Sequence, residues 1–313
     1  MRDAFFKTLV EIAESDPCIM FLTGDLGFGA VNEFVKRCPR QFLNVGVAEQ
    51  NMTGIAAGLA MAGKTVFTYS IANFPTLRCL EQIRNDVCYH NADVKVVSVG
   101  GGLAYGALGP SHHATEDLGI LRMLPNMTVV APADPVEVSR AVRALATMSG
   151  PAYLRLGRVG ERKLHSESIE FTLGRAIQVR SGADVTLIST GGMLEMVLEA
   201  ANQLLLSGID ARVLSMHTIR PIDELAIKSA AAETRAIVTI EEHSVIGGLG
   251  SAVAEVLAGL DTSTRLRRVG LPSQFISSVG SHEYLRERSG LSAAQIHKTT
   301  VEALTVLRSA AAF

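Results

Sequence analysis

Residues 94–113 read VKVVSVGGGLAYGALGPSHH. The opening run, Val94-Lys95-Val96-Val97-Ser98-Val99, is short, apolar and rich in valine, which predicts a strand buried on both faces of a parallel sheet. The run feeds a glycine-rich segment, Gly100 to His113, just ahead of Ala114-Thr115-Glu116-Asp117. Loops leaving the carboxyl edge of an open α/β sheet are where such sheets bind ligands. The glycine spacing matches neither G-x-G-x-x-G nor a phosphate-binding P-loop, so it implies no nucleotide.

Similar runs recur on either side of this one. Ile19-Met20-Phe21-Leu22, Thr65 to Tyr69 and Met127 to Ala131 predict further strands, separated by helical patterns over Asp3–Ser15, Gln50–Ala62, Thr76–Tyr89 and Pro135–Thr147. Strand and helix alternating in this way is an α/β signature. After Tyr153-Leu154-Arg155-Leu156 the pattern loosens into a polar stretch, Gly157 to Phe171, and a second α/β unit follows. Its strands are expected at Val185–Ser189, Ala211–Ser215, Ala236–Ile240 and Arg265–Val269. Its helices are expected at Met193–Ser207, Asp223–Ala232 and Ser251–Ala258, with a closing helix over Ser292–Leu307. The division is therefore two α/β domains, each a mostly parallel sheet flanked by helices, at 1–160 and 176–313, with a linker at 161–175.

Composition agrees. At roughly 150 residues per domain, 313 residues make two. With 29 Lys plus Arg against 31 Asp plus Glu, and no basic run, the chain lacks the electrostatic footprint of a nucleic-acid or anionic-membrane binder. The most apolar small-residue stretch, Met52 to Gly63, falls short of the ~20 residues a membrane helix needs. The N-terminus, MRDAFFKTLVEIAES, has early acids and no apolar h-region, so a cytoplasmic location is expected. Cys18, Cys38, Cys79 and Cys88 have no metal-like spacing and are expected to be buried thiols; no metal site is expected.

Four segments stand out as chemical candidates. Asn44-Val45-Gly46-Val47-Ala48-Glu49-Gln50-Asn51 ends in an acid just before a helix bare of polar side chains. One reading of Glu49 is a first-turn acid favoured by the helix dipole. The other is a carboxyl held in an apolar interface, since Gly54 and Gly58 leave one helix face open to close approach by another chain. In the glycine-rich loop, His112 and His113 are adjacent and so do not form a metal pair; an imidazole there is either structural or a proton relay. Thr23-Gly24-Asp25-Leu26-Gly27 follows a predicted strand and is equally explained by turn chemistry. Gly247-Gly248-Leu249-Gly250, after Glu241-Glu242-His243, opens a helix whose amides are suited to an anion.

Taken together, NVGVAEQN (44–51), EQIRNDV (81–87), GPSH (109–112), LRMLPNMTVVAPA (121–133) and PAYLRLGR (151–158) carry a specific resemblance. Almost the whole chain resembles the C-terminal section of transketolase, in the form where that enzyme is split into two polypeptides. The resemblance implies a pyrimidine-binding domain followed by the transketolase C-terminal domain. It implies that Glu49 hydrogen-bonds the aminopyrimidine of thiamine diphosphate and so activates the cofactor, and that Phe74 stacks on that ring, with Asp25 and Arg78 also at the cofactor. By the same resemblance His112 is catalytic and contacts substrate, and Arg2 and Arg158 hold a sugar phosphate, a task for a planar, permanently charged fork.

The chain also departs from that pattern. Ala107-Leu108 replaces an acidic pair that reads a sugar hydroxyl in many transketolases; Gly100, Leu77 and His113 replace a histidine, an aromatic and a glutamine. Leu108 and His113 therefore belong to an altered substrate pocket, and a non-standard ketose is expected. The Gly-Asp-Gly signature that holds diphosphate and Mg²⁺ in the family is absent from the sequence. A partner, the N-terminal transketolase subunit, is expected to bring it in an α2β2 assembly, with self-association through the Gly54/Gly58 helix and the C-terminal domain. Rival readings are a 2-oxoacid dehydrogenase beta subunit, a 1-deoxyxylulose-phosphate synthase-like subunit, and a catalytically silent scaffold.

Overall fold

The computed structural model describes residues 1–27, 29–158 and 160–310, with side chains to residue 305. Among these residues twelve strands build two sheets. The first sheet uses β1 (Ile19–Thr23), β2 (Phe42–Asn44), β3 (Thr65–Ile71), β4 (Val94–Val99), β5 (Thr128–Val130) and β6 (Ala152–Leu156). The second uses β7 (Ile177–Arg180), β8 (Val185–Ser189), β9 (Ala211–Ser215), β11 (Ala236–Ser244) and β12 (Arg265–Leu271), while β10 (Thr218–Arg220) crosses back to the first. The orders are β10-β5-β6-β4-β3-β1-β2 and β12-β11-β8-β9-β7. Within each sheet all pairs are parallel except β10 with β5 and β7 with β9.

Every residue of β4 and β6 is buried, as continuous apolar runs in a doubly covered sheet require. One face of the first sheet packs Phe21, Phe67 and Tyr69 against Phe5, Phe6 and Leu9 of the helix Arg2–Ser15; helix Pro135–Thr147 joins the same core. The other face packs Leu22, Val66 and Val96 against Met52, Ala56 and Ala57 of the helix Glu49–Met61. The second sheet is covered by helices Leu194–Leu206 and Ala293–Ala310 on one side and by Glu224–Glu233 and Leu249–Ala258 on the other.

Four expectations change. The helix expected over Thr76–Tyr89 reduces to Leu80–Gln82 followed by a π-helical turn, Ile83–Cys88. Thr76 Oγ1 donates to Ala72 O at 2.7 Å and the Cys79 thiol to Phe74 O, so side chains bind the backbone of residues 72–79 into turns. The strand expected to end at Ile240 runs on to Ser244, which puts Glu241, Glu242 and His243 on a fully buried strand. Cys18 is exposed rather than buried; Cys38, Cys79 and Cys88 are buried. Finally, the amides of Leu249 and Gly250 already have their anion: Glu241 Oε2 and Oε1 accept from them, each at 2.7 Å. No helix among the described residues is long and apolar enough to cross a membrane.

Candidate active site

Glu49 is the first residue of its helix and is 1% exposed. Its burial follows from what surrounds it. Oε1 accepts a hydrogen bond from Ser70 Oγ at 3.0 Å, at the end of β3. Gly24, just past β1, lies alongside, where a Cβ would touch the Glu49 carboxyl carbon at 3.5 Å. Oε2 is buried without a hydrogen-bond partner. Arg78 Nη1 stands 3.5 Å from it, close enough for attraction between charges but not for a good hydrogen bond, and Arg78 is 53% exposed. A buried carboxylate oxygen with no donor costs free energy unless another molecule brings one.

From Glu49 the candidate residues run as one chain of contacts. The Arg78 guanidinium lies 5.2 Å from the Phe74 ring centroid. Phe74 meets His112 edge-on at 5.2 Å, and His112 meets Tyr105 at 6.3 Å. Arg158 stacks over Tyr105 at 5.0 Å. His112 Nδ1 pairs with Ser111 Oγ at 3.0 Å. Burial lifts the Tyr105 phenol above its ordinary value, with Arg158 and Arg2 pulling against it.

The remaining candidates lie around this line. Asp25 is locked to Asn44 twice: its amide donates to Asn44 Oδ1 at 3.0 Å, and its carboxylate accepts from Asn44 Nδ2 at 2.9 Å, holding the Gly24 loop to β2. Arg2, in the first turn of its helix, pairs with Asp3 at 3.2 Å. Leu108 ends the short turn Gly106–Leu108 and is 54% exposed. His113, by contrast, is buried; Asn73 donates to its carbonyl, and burial pushes its imidazole below the usual histidine range. Gly54 and Gly58 face outward with nothing within 4 Å of an added Cβ.

Sequence reasoning overlooked Tyr105, Ser70 and Glu242. Tyr105 explains why Gly100 carries no side chain. At φ +84° a Cβ there would fall 2.0 Å from the Tyr105 ring, so the ring takes the volume. Between the two domains a cavity of about 370 Å³ is lined by Arg155, Arg158, Gly191, Glu242, His282 and Arg286, among others. Ion pairs tie most of these charges to one another or to neighbours: Arg155 to Asp117 at 2.9 Å, and both His282 and Arg286 to Glu242.

Known proteins agree with this architecture. Residues 1–160 match the transketolase pyrimidine-binding domain and residues 174–296 the transketolase C-terminal domain. One of the two subunits of an apulose-4-phosphate transketolase from Phocaeicola vulgatus is 39% identical over 303 residues, spanning 96% of each chain. A 6-deoxy-6-sulfo-D-fructose transketolase subunit of a Clostridium species is 41% identical over 303 residues, or 96% of this chain and 94% of that one. A solved split-gene transketolase, an inactive beta4 tetramer, superposes with a TM-score of 0.91 at 41% identity, covering 97% of this chain and 98% of the other. The chain belongs to the thiamine-dependent transketolase family, as the subunit of a split enzyme that carries the pyrimidine-binding and C-terminal domains.

Proposed function

We propose that this subunit transfers a two-carbon ketol unit from a ketose to an aldose together with a separate N-terminal subunit that holds the diphosphate and Mg²⁺ of thiamine diphosphate. The observation that carries the reading is the buried Oε2 of Glu49, which lacks a donor. A ring nitrogen of the aminopyrimidine, protonated, is a donor that fits it. The cofactor, when bound, supplies the carbon nucleophile of the reaction. Glu49 holds the proton at that ring nitrogen, in a pocket where water does not compete. Phe74 offers a ring face for stacking, Arg78 closes the open side of Glu49, and the Asp25 loop fixes Gly24 against the carboxyl.

His112, at the far side of Phe74, orients a sugar hydroxyl and relays its proton. Arg158 and Arg2 hold an anionic end of the substrate, with Arg158 kept in place by Tyr105. Leu108 replaces a polar group at the rim, which selects a ketose lacking the usual hydroxyl or presenting an apolar face there. The related chains named for apulose 4-phosphate and for a sulfonated deoxyfructose favour an unusual anionic ketose of this kind. The open Gly54/Gly58 face and the exposed Val47 beside Glu49 suit a protein interface, in an α2β2 complex in the cytoplasm.

Calorimetry tests the division of labour. This chain alone is expected to bind no thiamine diphosphate, and a mixture with its N-terminal partner and Mg²⁺ to bind it stoichiometrically. Tight stoichiometric binding by the lone chain would overturn the partner-held site. A reconstituted complex that binds cofactor yet transfers no ketol unit from any phosphorylated or sulfonated ketose would overturn the reaction.

A further inference from the structure

Glu242 lies on β11, in the second sheet, yet its side chain reaches the substrate loop of the first domain. Oε1 accepts from the Leu103 amide at 2.7 Å and from His282 Nε2 at 2.7 Å, and Oε2 accepts from Arg286 Nε at 2.8 Å. Burial pushes this carboxyl up, but Arg286 and His282 more than reverse that and hold it well below the carboxylate range. Glu242 is thus ionised at neutral pH and serves three donors at once.

The same contact controls the neck of the loop. Gly102 and Ala114 exchange a pair of backbone hydrogen bonds, each 2.9 Å, which closes the loop at its base. Arg155 Nη2 donates to Ala114 O at 2.7 Å and to Glu242 O at 3.0 Å, so one guanidinium ties that base to β11. Gly102 has φ +65°, and a Cβ there would sit 2.5 Å from the Glu242 carboxyl carbon. Farther along, Gly280 N donates to Gly106 O at 3.3 Å, and Leu285 fills the space a side chain at Gly106 would need. Tyr105, Leu108 and His112 all lie between these anchor points.

We propose that Glu242, held by His282 and Arg286, is a positioning residue for the substrate loop: through the Leu103 amide it sets where Tyr105, Leu108 and His112 stand. This rests on the reading above in which His112 and Leu108 meet the sugar. It gives the C-terminal domain a role in substrate affinity beyond assembly. A glutamine at this position has one acceptor oxygen for three donors and turns an amide N–H toward Arg286. An aspartate keeps the charge but withdraws the carboxylate by one methylene.

The test uses the reconstituted complex with E242Q, E242D and R286K. Site-resolved hydrogen exchange at Leu103 is measured beside KM, kcat and cofactor affinity. In E242Q and E242D the Leu103 amide is expected to exchange about tenfold faster and KM for the ketose to rise about tenfold, with kcat and cofactor affinity within about twofold of native. R286K leaves the carboxylate its charge partner and is expected to stay close to native in all of these. E242D supports the test even if E242Q fails to fold, because its buried charges remain balanced. Three results would overturn the proposal: a Leu103 amide as protected in E242D as in the native chain, faster exchange with KM unchanged, or KM, kcat and cofactor affinity falling together. Should the native complex transfer no ketol unit, the substrate reading fails, while exchange at Leu103 still decides whether Glu242 holds the loop.

Discussion

Replacing Glu49 with glutamine should strengthen the fold and weaken the enzyme. In the native chain Oε2 is buried and receives no hydrogen bond. Leaving such an oxygen unmatched costs about 1–3 kcal/mol. The Arg78 pair at 3.5 Å returns less than about 1 kcal/mol, because Arg78 is half exposed and its charge is screened. In E49Q the carbonyl oxygen keeps the bond from Ser70 Oγ, and the net charge on the buried group disappears. The isolated subunit should therefore gain about 1–2 kcal/mol, read as a rise of about 2–5 °C in Tm by scanning calorimetry. In the reconstituted complex the same change removes the acceptor proposed to hold the proton on the cofactor ring, and kcat should fall by about 10²- to 10⁴-fold. Opposite signs in the two assays identify a group kept for function at the expense of stability. An isolated E49Q chain less stable by more than about 1 kcal/mol, or a complex with undiminished ketol transfer, would refute the argument.

Two further outcomes are expected. Leu108→Asp lies on an exposed turn, so folding should be untouched, while kcat/KM for ordinary hydroxylated ketose phosphates relative to the native substrate should rise by about tenfold or more, from about 1–3 kcal/mol of restored pairing; identical ratios across a substrate panel would sink the pocket reading. His217 is buried and stacked on Phe171 at 4.0 Å, and burial, with His165 nearby, pushes it down to about 4. Between its ordinary 6.5 and that value the unfolded chain binds a proton the folded chain refuses. The His217 contribution is complete above the ordinary value and is lost as pH falls toward the lower one, by about 3 kcal/mol. Urea titrations over this range should show a shallower pH slope in His217→Gln; an unchanged slope would contradict the assignment.

What the sequence disclosed depends on how local each signal was. Strands β3, β4, β8 and β9 were legible because residues buried on both faces leave runs of valine and isoleucine. Phe42–Asn44 and Thr218–Arg220 are three residues each and have partners far away in the chain, so they leave no periodic trace. Glu49 was visible because the segment around it is distinctive, although only coordinates distinguish a dipole-stabilising acid from a buried one. The helix opening at Gly247–Gly250 was recognisable as a set of free amides, but nothing in the sequence says that Glu241 supplies their anion.

Glu242 illustrates the harder case, since Leu103 lies 139 positions before it and Arg286 lies 44 after. Neither separation has a sequence signature. The charges buried at the junction of the two domains follow the same rule: Asp134 takes the amides of Leu164 and His165 in the linker, Glu137 takes Ser215 Oγ at 2.6 Å, and Arg155 gives a hydrogen bond to the Glu242 carbonyl at 3.0 Å. Each of these groups would be costly alone in an apolar interior, and each is fully satisfied only when the linker and the second domain close on the first. The docking of the domains and the position of the substrate loop are therefore one equilibrium, so a substitution at the junction far from Glu49 should alter sugar affinity through the loop neck before it alters cofactor chemistry.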